Sequence, residues 1–200
     1  MIEIQEARRY YTDSDAAHDF DHVLRVLALA ERIGQAEGAM MEIVRAAVLL
    51  HDVARAEEER TGECHAKVGA EQARQILAGH PADKVEAVAQ AISSHRFRDE
   101  VIPQMLEAKV LYDADKLDAI GAIGIARAYA LAGKRGQRLW AETPAEPLST
   151  DYTPVHEFIF KLSKLKEALF TATARQIAEE RHRYMVEFFA RLEEEVRGKR

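Results

Sequence analysis

Apolar residues return at three- and four-residue spacing along almost the whole chain, and no run of four or more residues alternates as a strand would. That single pattern confines the fold to the all-α class. A first helix is expected from Val23, Val26, Leu27, Ala30 and Ile33, stopping near Gly34 and Gly38. A second, from about Met40 to Ala54, is apolar on nearly every side between Ile43 and Leu50, which marks it as central. A third is expected from about His65 to Leu77, and a fourth from about Ala82 to His95 with Val85, Val88, Ala89 and Ile92 on one face. The fifth is expected to be one long helix from about Pro103 to Leu131. Residues 132–154 break the pattern with two glycines and three prolines and read as a long loop. Two C-terminal helices follow within 155–198, from about Val155 to Phe170 and from about Ala174 to Arg197, with Thr171 or Thr173 placed as an N-cap.

The 200 residues suffice for one domain with a sizeable core and fall short of two comfortable ones. The chain is therefore read as a single domain, 1–200, with its core over about residues 18–131. Hydrophobic residues at 48% and charged residues at 31% are globular proportions. The longest uninterrupted apolar stretches, such as Ala46 to Leu50, are far below the ~18 residues that cross a bilayer, so no membrane partner is expected. The first six residues are acidic where a signal peptide is basic and then apolar, and a cytoplasmic location is expected. The one cysteine, Cys64, cannot form an internal disulfide, and with no CxxC a thiolate zinc site is excluded. Any metal must be held by His, Asp or Glu.

A formal charge of -6 argues against a nucleic-acid partner. Residues Arg175 to Arg200 carry seven basic and six acidic side chains, a solvated face with no basic tail. The amphipathic C-terminal helix offers a surface for a homodimer. An anionic ligand would need local neutralisation, by a bound cation or a small basic cluster.

The sharpest local feature is His51-Asp52 at the end of the apolar second helix. Burying either group without a partner costs several kcal/mol, so both need one. His22 opens the first helix, His65 the third, His95 closes the fourth, and Asp115 lies in the fifth. Helix ends and inward faces of a bundle can converge, and imidazole with carboxylate is ligand chemistry for a borderline or hard divalent metal. Taken singly, each of these histidines reads first as a cap or surface group. The order His, His-Asp, Asp with long gaps differs in kind, because it supplies ligands from separate helices.

With these residues in place, the sequence resembles the HD superfamily of metal-dependent phosphohydrolases, whose pattern is H…HD…D. The resemblance runs through Asp21 to Val26, Ala47 to Arg55 and Asp113 to Gly121, and further through His65 to Glu71, Ser94-His95-Arg96 and Ala174 to His182. It spans roughly residues 18 to 195 and points to a branch that includes bacterial proteins similar to nucleotide pyrophosphohydrolases. The fold it implies is an HD-type helical bundle with additional C-terminal helices. The activity implied is hydrolysis of a phosphoester or phosphoanhydride of a small metabolite, with a nucleotide as the expected substrate and (d)NTP pyrophosphohydrolysis as one form. A cyclic phosphodiesterase and a catalytically silent metal- or nucleotide-binding regulatory module are the alternatives.

Carried over by this resemblance, His22, His51, Asp52 and Asp115 are metal ligands, with Asp52 the natural bridge to a bound water or a second ion. Asp113 rivals Asp115, which is preferred because it precedes Lys116-Leu117 as the family's aspartate precedes a Lys/Arg-Leu pair. Asp118 shares the face of Asp115 and is expected to orient a ligand or accept a proton, with a helix-surface salt bridge as the ordinary alternative. His65 and His95 match positions that bind a second metal or the substrate phosphate. The implied cofactor is one or two divalent ions among Mn²⁺, Ni²⁺, Co²⁺, Fe²⁺ and Mg²⁺. Some family members carry a glutamate three residues after the HD aspartate; this chain has Arg55, so the water-activating role of that glutamate does not transfer. Arg55, Arg96 and Lys116 are the expected phosphate contacts, with Glu57, Glu58 and Glu59 close by in a segment read as loop. The basic triplet Lys134, Arg135 and Arg138 reads first as soluble surface and second as a cover for polyphosphate. His18 is left between a cap and a supporting role, while His80, His156 and His182 are expected to bind no metal.

Overall fold

The computed structural model describes residues 1–11, 20–96, 101–142 and 152–200. His18 and residues 143–151 of the expected loop lie outside the described residues. Among those described there are ten α-helices and no strand, as the spacing of apolar residues requires. They fall into two compact units, Met1–Asp115 with Phe170–Ala174, and Lys116–Leu169 with Arg175–Arg200.

The first unit begins with a one-turn helix, α1 (Ile4–Ala7), and a 3-10 turn at Arg8–Tyr10. Tyr11 then ties the segment down, its hydroxyl donating to the Leu49 carbonyl at 3.0 Å. In α2 (Phe20–Glu37), the stripe Val23, Val26, Leu27, Ala30 and Ile33 is buried. It packs on α3 (Met41–Leu50), where every residue from Ile43 to Leu50 except Arg45 is buried. Val44, Val48, Leu49 and Leu50 are fully enclosed, each worth ~1.5–3 kcal/mol of apolar burial. Helix α3 is thus the centre of this unit. Helices α4 (Arg55–Thr61), α5 (His65–Ile76) and α6 (Ala82–Ser93) complete it, α6 packing against both α3 and α5. Its last helix, α7 (Leu106–Asp118), carries Asp113, whose carboxylate accepts from Phe170 N–H at 2.9 Å and from Thr171 N–H and hydroxyl, each at 2.7 Å.

The central helix is shorter than its apolar run predicts. It stops at Leu50, and Asp52 to Arg55 continue as turns closed by Val53 N–H to Leu50 O (3.4 Å) and Arg55 N–H to Asp52 O (3.0 Å). The His51 ring donates from Nδ1 to the Val48 carbonyl at 2.8 Å, a local side-chain bond that competes with helix continuation. The segment Arg55 to Glu63, read as loop, forms helix α4 up to Thr61, and Gly62 at φ 79° closes it in the left-handed conformation that glycine tolerates.

The expected single helix from Pro103 to Leu131 proves to be two, α7 and α8 (Gly121–Lys134), the second unit beginning at Lys116 within the last turn of α7. Gly121 sits at φ 77°, and a Cβ on Gly124 would stand 2.2 Å from the Ala119 carbonyl oxygen, so the helix is interrupted where glycines permit the turn. The freed carbonyls are not orphaned: Arg181 donates to Leu117 O, and Arg127 to Asp118 O at 3.3 Å. The expected helix to Phe170 also divides, into α9 (Pro154–Phe160) and a 3-10 segment, Leu162–Ala168. Thr153 N–H donates to His156 Nδ1 at 3.0 Å, so His156 caps α9. The long α10 (Ala172–Val196) starts at Thr171, whose hydroxyl oxygen accepts from Ala174 N–H at 3.3 Å. Phe158 stacks on Phe189 (4.5 Å between centroids) and Tyr129 meets Phe188 edge-on (6.3 Å), core contacts as their spacing suggests. No helix among the described residues is long and apolar enough to cross a membrane.

Candidate metal centre

The turn that ends α3 aims Asp52 inward, and its two carboxylate oxygens face different pairs of imidazoles. Oδ2 lies 3.7 Å from His51 Nε2 and 3.9 Å from His22 Nε2. Oδ1 lies 3.3 Å from His65 Nε2 and 3.8 Å from His95 Nε2. His22 Nε2 is also 3.4 Å from Asp115 Oδ1. Ligand atoms of His22, His51 and Asp52 lie within 4.8 Å of one another, and so do those of Asp52, His65 and His95. Helices α2, α5 and α7 contribute His22, His65 and Asp115, the turns that follow α3 and α6 contribute His51, Asp52 and His95, and all four histidines are buried.

The donor chemistry fits a divalent cation. A carbonyl only accepts, so His51 Nδ1 carries its proton toward Val48 O, and His95 Nδ1 toward Ile92 O at 2.6 Å. Each ring is thereby left with an Nε2 lone pair facing Asp52, and His51 Nε2 has no hydrogen-bond partner although it is fully buried. Burial, opposed only in part by Asp52, pushes the His51 pKa down to about 4. Burial likewise lowers His65. Burial would push the Asp52 carboxyl up, but His51 beside it, then His95 and His22, outweigh that and hold it well below the usual carboxylate range. Neutral imidazole lone pairs converging on an ionised carboxylate form a ligand set of the kind that holds divalent metals.

Around the second cluster stand groups of opposite charge. Glu58 Oε2 lies 2.7 Å from His65 Nδ1 and 3.3 Å from Arg55 Nη1, and its Oε1 lies 3.0 Å from Arg96 Nη2. Of the residues the sequence singles out, His22, His51, Asp52, His65, His95 and Asp115 are brought together, with Arg55 and Arg96 close to His65 through Glu58. Asp113 is turned to the backbone at Phe170 and Thr171. Lys116 and Asp118 belong to the second unit, where the buried Asp118 is ion-paired with Arg127 at 2.7 Å instead of lying on a helix surface. Glu58 was not distinguished from its acidic neighbours by the sequence. The signal available was Arg55 and Glu58 at a spacing of three before a Thr-Gly stop, which a helix places on one face.

The family model described as HD domain matches residues 19–120. YpgQ of Bacillus subtilis (strain 168) is 36% identical over 191 residues, which span 94% of this chain and 88% of YpgQ. The crystal structure of Bacillus subtilis YpgQ in complex with ADP aligns with a TM-score of 0.76 at 31% identity, covering 97% of this chain and 98% of that one. An HD superfamily hydrolase from an uncultured Thermotogales bacterium aligns with a TM-score of 0.70 at 34% identity, covering 96% of this chain and 90% of that one.

Proposed function

Because the chain belongs to the HD-domain family, we propose that it is a divalent-metal-dependent phosphohydrolase acting on a small phosphorylated metabolite, with a nucleotide as its substrate class. The observation that supports this reading is the pair of His/Asp clusters sharing Asp52. The ADP in the YpgQ structure supports a nucleotide, and cleavage of a (d)NTP to monophosphate and pyrophosphate is the specific activity proposed.

In this reading His22, His51, Asp52 and Asp115 hold one ion, and Asp52, His65 and His95 hold a second. A divalent ion bound there supplies a lowered water pKa and polarisation of a phosphoryl oxygen. His51 and His95 are kept as acceptors at Nε2 by their carbonyl partners, so neither of these two rings has to change tautomer on loading. Arg55 and Arg96 neutralise phosphoryl oxygens, and Lys116, next after Asp115 on α7, is the third cation in the proposal. Asp118, its carboxylate oriented by Arg127, is the candidate proton acceptor.

The test is metal analysis followed by turnover of p-nitrophenyl phosphate, bis-p-nitrophenyl phosphate and a dNTP panel with Mn²⁺, Ni²⁺, Co²⁺, Fe²⁺ and Mg²⁺. Release of pyrophosphate from a nucleoside triphosphate is the expected result. No turnover with any metal overturns the enzyme reading, and turnover confined to the diester moves it to a phosphodiesterase.

A further inference from the structure

Glu58 makes three charged contacts at once. On α4 it shares a face with Arg55, and its carboxylate reaches His65 Nδ1 at 2.7 Å, Arg55 Nη1 at 3.3 Å and Arg96 Nη2 at 3.0 Å. An ionised carboxylate only accepts hydrogen bonds, and Glu58 Oε2 at 2.7 Å from Nδ1 is closer to the ring than Asp52 Oδ1 at 3.3 Å from Nε2, which favours the His65 proton on Nδ1. The Nε2 lone pair then points toward Asp52 Oδ1 at 3.3 Å and His95 Nε2 at 3.2 Å.

A competing contact makes this choice depend on Glu58. Arg55 Nη1 lies 3.1 Å from His65 Nδ1 and 3.4 Å from its Nε2, over both ring nitrogens, so it selects neither, and the competitor for the ring proton is Asp52 Oδ1, 3.3 Å from Nε2. Were Glu58 removed, Asp52 Oδ1 would be the remaining carboxylate acceptor, and the ring proton would move to Nε2, onto the atom that faces it. Unlike His51 and His95, whose Nδ1 protons are taken by carbonyls within their own turns, His65 relies on a side chain seven residues away.

We propose that Glu58 is a positioning residue that fixes His65 as the Nδ1–H tautomer and, with the same carboxylate, holds Arg55 and Arg96 side by side next to the Asp52–His65–His95 cluster. One side chain thus sets both a ligand lone pair and a pair of guanidiniums shaped for a phosphoryl group. The assignment rests on the reading of that cluster as a cation site. It is tested without substrate.

In ¹⁵N-histidine-labelled, metal-free protein, two-bond ¹H–¹⁵N correlation spectra report the tautomer of His65. The wild type is expected to show Nδ1–H, Glu58→Ala to show Nε2–H, and Glu58→Gln, which keeps an acceptor oxygen, to retain Nδ1–H. Calorimetric titration with Mn²⁺ or Co²⁺ is expected to show ion affinity falling about 10- to 100-fold in Glu58→Ala and less in Glu58→Gln. Glu58→Leu, similar in volume and without an acceptor, carries the same expectation should the alanine variant fail to fold. Nε2–H in the wild type, Nδ1–H retained in the alanine or leucine variant, or ion affinity unchanged within about twofold overturns the assignment. A wild type with the expected tautomer and ion binding but no phosphohydrolysis overturns the function proposed above and leaves Glu58 in place.

Discussion

His65 Nε2 and His95 Nε2 stand 3.2 Å apart, while their Nδ1 atoms are engaged by Glu58 and by the Ile92 carbonyl. Two lone pairs at that separation repel unless a proton or a cation lies between them, and burial works against the proton. Replacing either ring by alanine is therefore expected to remove one binding event for a divalent ion while leaving another, and to slow turnover. Metal content by mass spectrometry and steady-state kinetics check this; unchanged kinetics would make both histidines structural.

Asp52 serves both clusters, so its loss should be more severe. Asp52→Ala and His51→Ala are expected to lose metal content and more than ~100-fold of activity, beyond what removal of an outer partner costs, with helical circular dichroism retained. Full activity in either variant would show that the ligand set is wrong.

Acid should destabilise the metal-free protein in a defined window. The folded-state pKa of His51 is about 4 against 6.5 for the free side chain, so below pH 6.5 the unfolded chain takes up a proton that the folded chain refuses. Stability from this group is fully present above about pH 6.5, falls by about 3 kcal/mol as pH drops toward 4, and levels off below. His65 is shifted in the same direction. Urea melts in chelator at several pH values should show a steeper acid loss for the wild type than for His51→Gln; parallel curves would remove the assigned cause.

The break between α7 and α8 depends on a missing side chain. Gly124→Ala places a Cβ 2.2 Å from the Ala119 carbonyl oxygen, a backbone atom that cannot swing aside. A loss of roughly 1–3 kcal/mol is expected in thermal or urea unfolding, whereas Gly133→Ala, which meets nothing within 4 Å, should be close to neutral or stabilising. Equal effects at the two positions would contradict the close approach.

The all-α class and the convergence of His22, His51-Asp52, His65, His95 and Asp115 were legible because each depends on patterns the chain states locally: apolar spacing, and ligand types at helix ends. Helix boundaries were not, and the reasons differ. The run to Ala54 hides its stop because apolar residues continue while His51 turns back to its own carbonyl. The run from Pro103 to Leu131 hides its break because periodicity carries through Ala119 to Gly124, and of the arginines that take up the freed carbonyls Arg127 lies within the run while Arg181 lies far beyond it. Asp113 and Asp115 were separable only by a family pattern, since both are carboxylates on one helix; contact with Phe170 and Thr171, more than fifty positions away, distinguishes them physically. Glu58 stood out from its two glutamate neighbours only through its spacing of three from Arg55, a signal that counts once the segment is known to be helix.

The enclosure of α3 from Ala46 to Leu50 has a bearing on heredity as well as on folding. Every side chain in that stretch is buried, so a library of random substitutions selected only for soluble expression would show narrow tolerance there, up to the buried His51 and Asp52 that follow. Selection for a folded chain and selection for the residues that follow would press on one continuous stretch of gene, and drift could loosen the rim of the molecule long before it reached this one.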